Sequence, residues 1–190
     1  MIVTLAGRRI DALHAKMKRF PAELAGSVKK KLIDSLLSVR ATHLVCSGAC
    51  GSDLLALQAA EELLIQRTLV LPFDPDTFRS TSVEDLPGDW GMIYDKIIGD
   101  LKDSEQLIVL HYDNNDSNAY KKTNMQILDH AEKLANKTNS HYPSRNQVFV
   151  EKLALIVWEG SPKEANDTTY HFMQEAQRRN FIIREIKIIE

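Results

Sequence analysis

Cysteine is scarce in this chain, which holds two, Cys46 and Cys50. One ends an apolar run and the other lies in a glycine loop. A disulfide framework is therefore not expected, and small buried thiols in a reducing compartment are. No further ligand is spaced to join them in a zinc site, so no metal is expected, and no cofactor. Excess positive charge is also missing. Lys and Arg number 24 against 26 Asp and Glu, a net charge of −2, a poor match for a general nucleic-acid binder, which needs a basic face. Two local basic clusters stand out, Lys16, Lys18 and Arg19, and then Lys29 to Lys31. The second reads as the solvated face of a helix. No apolar run reaches the length of a membrane span, and no basic segment precedes a long apolar one at the start. A cytoplasmic protein with no membrane partner is expected. The six histidines (His14, His43, His111, His130, His141, His171) are scattered without a Ser or Cys in register, which gives no support to a nucleophilic triad. Linkers, repeats and low-complexity segments are absent. Residues 1–190 are expected to form a single domain, large enough for a substantial core.

What is present is an alternation of strands and helices. Met1 to Gly7 reads as a strand with few polar residues on either parity, as expected where both faces are covered. Pro21 opens a helix through Val39, with Leu24, Val28, Leu32, Ile33, Leu36 and Leu37 on one face. A short strand ends near Ser47, and a helix runs from Asp53 to about Gln66. Thr68 to Phe73 is a third strand, closed by Asp74-Pro75. Phe78 to Val83 reads as a loop dense in donors, and Val83 to Trp90 as irregular chain. Helix is expected from Trp90 to Leu101, strand from Gln106 to His111, and helix from after Asn118 to about Asn136. Thr138 to Arg145 reads as a loop punctuated by Tyr142-Pro143. Leu153 to Trp158 is a buried strand, Ser161 to Asp167 a loop and Thr168 to Arg179 a helix. Phe181 to Ile189 is the last strand, and its alternating Arg184, Glu185 and Lys187 suit an edge. The pattern predicts a three-layer α/β Rossmann-like fold with a mostly parallel sheet and helices on both faces.

The stretch Ser47-Gly48-Ala49-Cys50-Gly51-Ser52-Asp53 joins an apolar run to a helical pattern. A strand, a tight loop of small residues and a helix N-terminus together make a ready anion site. Glycines let a ligand approach, and unpaired amides and the helix dipole favour negative charge. Ser47 and Ser52 add hydroxyls. The plainer reading is a turn with Ser52 or Asp53 as N-cap. The loop is neither the dinucleotide fingerprint nor a P-loop. Asp53 suits a ribose hydroxyl or a cap better than a phosphate. Gly7 and Arg8 stand at the carboxyl end of the first strand, where ligands bind in parallel sheets. Arg8 can grip a phosphate or carboxylate in a bidentate fork, or serve as a surface arginine.

With these residues the chain resembles the SLOG superfamily, a Rossmann-like group that includes the DNA-processing Smf proteins and the Lonely-guy phosphoribohydrolases. The resemblance rests on Gly7-Arg8-Arg9-Ile10-Asp11, Arg19-Phe20-Pro21, the Ser47–Asp53 loop, Leu71-Pro72-Phe73 and Phe78 to Val83. It is similar to uncharacterised, sensor-like members whose shared theme is a nucleotide or nucleotide-derived ligand. Two features differ. The Pro-Gly-Gly-x-Gly-Thr-x-x-Glu motif of the Lonely-guy enzymes is absent. The turn after Trp158 instead offers Asp167, Thr168 and Thr169 as a cap and as hydroxyls. The aromatic-basic platform needed to bind single-stranded DNA is also missing.

Three functions remain. The first is binding or sensing of a nucleotide or nucleotide-derived small molecule. Phosphate would lie on Gly48 to Ser52 and Asp53, flanked by Arg8 and Arg79, with Gly7, Ser47, Ala49, Cys50, Gly51, Ser82, Thr168 and Thr169 completing the site. Phe73, Phe78 or Trp158 would stack on a base or belong to the core. The alternative is a nucleotide N-glycosidase of phosphoribohydrolase type, with Asp11, Asp53, Glu84 or Glu159 as carboxylates. The third is a non-catalytic interaction protein. Apolar helix faces leave a homo-oligomer open, and nucleic acid is not expected as a partner.

Overall fold

In the computed structural model, which describes residues 1–140, 150–163 and 166–189, six strands form one all-parallel sheet. In chain order the elements are β1 (Ile2–Gly7), α1 (Ala25–Ser38, entered through a 3-10 turn at Ala22–Leu24), β2 (His43–Cys46), α2 (Ser52–Glu62), β3 (Gln66–Leu71), α3 (Pro75–Ser82), α4 (Trp90–Leu101), β4 (Leu107–Val109), α5 (Ala119–Ser140), β5 (Lys152–Trp158), α6 (Thr168–Arg178) and β6 (Ile182–Lys187). The sheet order is β4-β3-β2-β1-β5-β6. β6 is an edge, as its alternating charges implied.

Two-fold alternation sorts the strands' side chains. Val3 and Leu5, Leu44 and Cys46, Leu69 and Leu71, and Leu153, Leu155 and Val157 enter one core with α1, α2 and α4. Ile2 and Ala6, Val45, Val70, and Ala154, Ile156 and Trp158 enter a second core with α5 and α6. Both parities are apolar because helices cover both faces, giving the three-layer Rossmann-like architecture.

The chain starts in the middle of the sheet, moves outward through β2 and β3 to β4, and returns along α5 to β5 beside β1. β1 therefore pairs with β2 on one side and with β5 on the other. The direction of winding changes between β1 and β5, and a crevice opens at the carboxyl ends of such strands.

Several elements depart from the sequence reading. Phe78 to Ser82 is helix, not loop. Asp74 caps α3 by accepting from Thr77 N (2.9 Å), and Pro75 fills the first turn, where its missing N–H costs nothing. Two of the segment's hydroxyls bond the helix's own backbone, Ser80 and Thr81 both donating to the Thr77 carbonyl. α2 stops at Glu62, short of Gln66, because Leu64 takes a left-handed conformation (φ 55°) that ends the helix. α5 runs through Ser140, past the expected end at Asn136. The remainder of the loop expected at 138–145, with His141 and Tyr142-Pro143, lies outside the described residues, as do Glu164 and Ala165. No helix among the described residues is long and apolar enough to cross a membrane.

Candidate functional site

The crevice predicted by the winding of the sheet holds a cleft of about 400 Å³. Its floor is Leu5, Ala6 and Gly7 at the end of β1. Ser47, Ala49 and Asp53 form one wall, α3 and α5 the next, and Thr168 and Thr169 at the start of α6 the last.

Seven of the residues expected from sequence line this cleft: Gly7, Ser47, Ala49, Asp53, Ser82, Thr168 and Thr169. Gly48, Cys50, Gly51 and Ser52 lie behind it and build the corner. A side chain at Gly7 would collide with Ser52 and come within 2.8 Å of the Val157 Cβ. Gly51 has φ 94°, and a Cβ there would be 2.9 Å from both the Arg8 carbonyl oxygen and the Ile10 nitrogen. These glycines let the β1–α1 and β2–α2 connections pack against each other.

Three of the loop's amides are engaged. Ala49 N–H donates to Asp53 Oδ2 (3.2 Å), Cys50 N–H to the Ser82 carbonyl (3.0 Å) and Ser52 N–H to the Arg8 carbonyl (3.1 Å). Ser52 also gives its hydroxyl to the Arg8 carbonyl (2.8 Å). Neither Ser52 nor Asp53 is the N-cap, which is Gly51. A cavity does stand before the corner, but the chain itself supplies acceptors for three of the amides on which a phosphate was expected to rest.

Arg8 is not in the cleft. It is buried, and it donates from Nε to Glu159 (2.7 Å), from Nη1 to Asp167 (2.8 Å) and from Nη2 to Glu159 (3.2 Å) and the Ser161 carbonyl (3.0 Å). Its guanidinium also lies over the Trp158 ring. Arg19 adds a second cation to Glu159. Asp167 caps α6 by accepting from Thr169 N (2.9 Å) and Tyr170 N (3.1 Å). Against the opposing pull of burial, the Arg8 guanidinium and the Lys163 and Tyr170 amides hold its carboxyl at about 2. The network fixes the start of α6 and so places Thr168 and Thr169.

Arg79 is likewise outside, paired bidentately with Asp95 (2.7 and 2.9 Å) and also with Glu84. Helical geometry explains this. α3 directs Phe78, Thr81 and Ser82 to the cleft, while Arg79 faces α4. Glu84 is exposed there. Asp11 binds Arg19 N and Phe20 N, stapling the β1–α1 loop. Glu159 belongs to the Arg8 network. Of the four carboxylates considered, only Asp53 lines the cleft.

Sequence reading missed Arg9, Tyr120, Thr123 and Asn124, all in the lining. Arg9 was legible as the neighbour of Arg8 at a strand end. Its Nη2 meets Asp85 and the Cys50 sulfur (3.4 Å), while its buried Nε has no partner among the described residues. The α5 residues carried no local signal, since only the return crossover brings them to β1. Tyr120 shares a hydrogen bond with Ser82 (2.8 Å) that ties α5 to α3, and it meets Phe73 edge-on. Phe78 lines the cleft and stacks on Tyr94, whereas Trp158 lies under Arg8 and against Tyr170.

The electrostatic centre is Asp53. Burial pushes its carboxyl up to about 7, against the pull of the Ala49 N–H and the Arg9 charge. A carboxyl poised near neutrality in a cleft can exchange a proton at ordinary pH. Burial also raises both thiols, strongly for Cys46, so neither is poised as a thiolate. Among the described residues no three His, Cys, Asp or Glu side chains gather as a metal site would require.

No protein-family model matches this chain, and no curated protein matches it.

Proposed function

We propose that the protein binds or senses a nucleotide or nucleotide-derived ligand in this cleft, in the manner of the SLOG proteins that its motifs resemble, in a cytoplasmic setting. The observation that carries the reading is a cleft at the change in winding between β1 and β5, faced by one guanidinium with an unpartnered Nε and by one buried carboxyl. Arg9 is the cation for an anionic group. The hydroxyls of Ser47 and Thr168 stand ready to assist it, and Phe78 and Tyr120 offer aromatic surface to a base. Calorimetric titration with the common ribonucleoside mono-, di- and triphosphates, ADP-ribose and cyclic dinucleotides tests this. Saturable binding, weakened in Arg9→Met, is expected. Silence across the panel overturns it.

One observation favours a second reading, cleavage of a nucleotide N-glycosidic bond. Asp53 is a cleft carboxyl that titrates near 7, suited to activate water or to stabilise an oxocarbenium-like centre. Free base released from nucleotides, and not released by Asp53→Asn, would establish turnover. An unchanged chromatogram after long incubation would leave binding alone.

A further inference from the structure

The polar groups of the cleft differ in what they have left to offer. Thr81 and Thr123 give their hydroxyl protons to the carbonyls of Thr77 and Ala119 (2.9 Å each). Each retains lone pairs and no proton to donate. Thr169 gives its hydroxyl to the Gly7 carbonyl (3.4 Å), and Asn124 gives an amide proton to the Thr168 carbonyl (3.2 Å). Asp53, when ionised, only accepts. Its Oδ2 takes the Ala49 N–H, and among the described residues nothing donates to its Oδ1. Ser82 and Tyr120 share one hydrogen bond between them. Arg9, Ser47, Thr168, the second amide proton of Asn124 and the one hydroxyl proton left over in the Ser82–Tyr120 pair are donors; the rest of the side-chain lining is rich in acceptors.

A phosphate carries only acceptors at its ionised oxygens. Placed at Asp53 it would meet a carboxylate at the point where Ala49 N–H, the donor it needs, is already taken. A neutral group bearing two adjacent hydroxyls has the opposite character. It donates to the carboxylate without bringing charge into a buried site, and its oxygens still accept from Ser47. Arg9 is the remaining cation, with a buried Nε that lacks an acceptor.

Resting on the nucleotide reading above, we propose that Asp53 receives the vicinal hydroxyls of the ligand's ribose while Arg9 takes its anionic group. The sugar, not the phosphate, then faces the β2–α2 corner. This reverses the usual use of a glycine-bearing strand-to-helix turn and makes Asp53 the residue that distinguishes ribose from deoxyribose.

Titration calorimetry of the intact protein with the four ribonucleoside mono- and triphosphates, each against its 2′-deoxy counterpart, tests the placement. Loss of a hydrogen bond to a charged acceptor predicts about ten- to hundredfold weaker binding of the deoxy form. In Asp53→Ala the two forms bind within about twofold of each other. In Arg9→Met both weaken together and the ratio survives. The comparison in the unsubstituted protein does not depend on any variant folding. Equal affinity for ribose and deoxyribose forms overturns the placement and leaves nucleotide binding standing. A ribose preference that persists in Asp53→Ala overturns the role of Asp53. Silence from every nucleotide overturns both readings.

Discussion

A carboxylic acid whose proton is held more tightly in the folded chain than in the unfolded one makes folding favour acid. Asp53, raised from 3.8 to about 7 by burial, is such a group. Its contribution to stability is fully present below its unfolded value and is lost as pH rises through about 7. Asp167 has the opposite sign. Held at about 2, it adds stability above its ordinary range, and that stability is lost as pH falls toward 2. Asp53→Asn keeps an oxygen for the Ala49 N–H and removes the cost of burying charge. It is expected to stabilise the protein at about pH 8 by on the order of a few kcal/mol, and the gain should vanish below about pH 4. Urea melts across that range check this, and a difference between the two proteins that does not vary with pH would refute it. Gly51 makes a simpler demand. At φ 94°, with backbone atoms of Arg8 and Ile10 at 2.9 Å from any Cβ, Gly51→Ala is expected to cost at least about 1–3 kcal/mol. A melting temperature equal to that of the unsubstituted protein would show that the corner can relax.

The start of α6 depends on a side chain just past the end of β1. Arg8 satisfies Glu159, Asp167 and the Ser161 carbonyl together, and Asp167 in turn caps the helix. Arg8→Met removes the cation that Glu159 and Asp167 share, leaving Glu159 with Arg19 and Asp167 without this ion pair in a largely buried site. A loss of about 3–5 kcal/mol is expected, because breaking a buried pair strands the partner charge. Arg8→Lys keeps the charge but cannot span the three acceptors with one ammonium, so it should fall between Met and the native residue. Urea denaturation orders the three, and a Met variant within about 1 kcal/mol of the native protein would remove Arg8 from the scaffold. The same residue shows where sequence reading stopped. The motif placed an arginine at a strand end, but nothing local told a ligand clamp from an internal one, since Glu159 and Asp167 are some 150 residues away in the chain. The strands were legible because they are apolar on both parities. α3 was not, although Asp74-Pro75 in front of it is a start signal. Its polar composition resembles a loop because its hydroxyls bond the preceding turn. The β2–α2 corner was read correctly as strand, loop and helix. Which of its amides were already engaged depended on Asp53, Ser82 and the Arg8 carbonyl, and only packing reveals that.

The cleft exists only when both halves of the chain have folded. β1 and Arg9 after it, the β2–α2 connection, the start of α2 and α3 supply one part, and the crossover helix α5 with α6 supplies the rest. α5 lies across β1, β2, β3 and β5, so it fastens the strands that precede it in the chain to β5, which follows it. The two apolar cores share every interior strand, which should make them melt together. The two tryptophans offer a direct test, because Trp90 is buried in one core and Trp158 in the other. Trp158→Phe leaves only the first core reporting, and Trp90→Phe only the second. Each substitution removes an indole hydrogen bond, Trp90 to the Pro87 carbonyl (3.1 Å) and Trp158 to Glu185 (2.8 Å), so the variants will differ from each other in stability. The informative comparison is therefore within each variant, between its fluorescence and its far-ultraviolet ellipticity. The two urea curves should coincide in midpoint and slope in both variants, as one cooperative transition requires. A ligand of the cleft should then move both curves by the same amount, since it binds only a state in which α5 is docked on β1. If fluorescence of Trp158 were lost before the ellipticity, α5 and α6 would be leaving a sheet that persists without them, and the cleft would open by local unfolding instead of global unfolding.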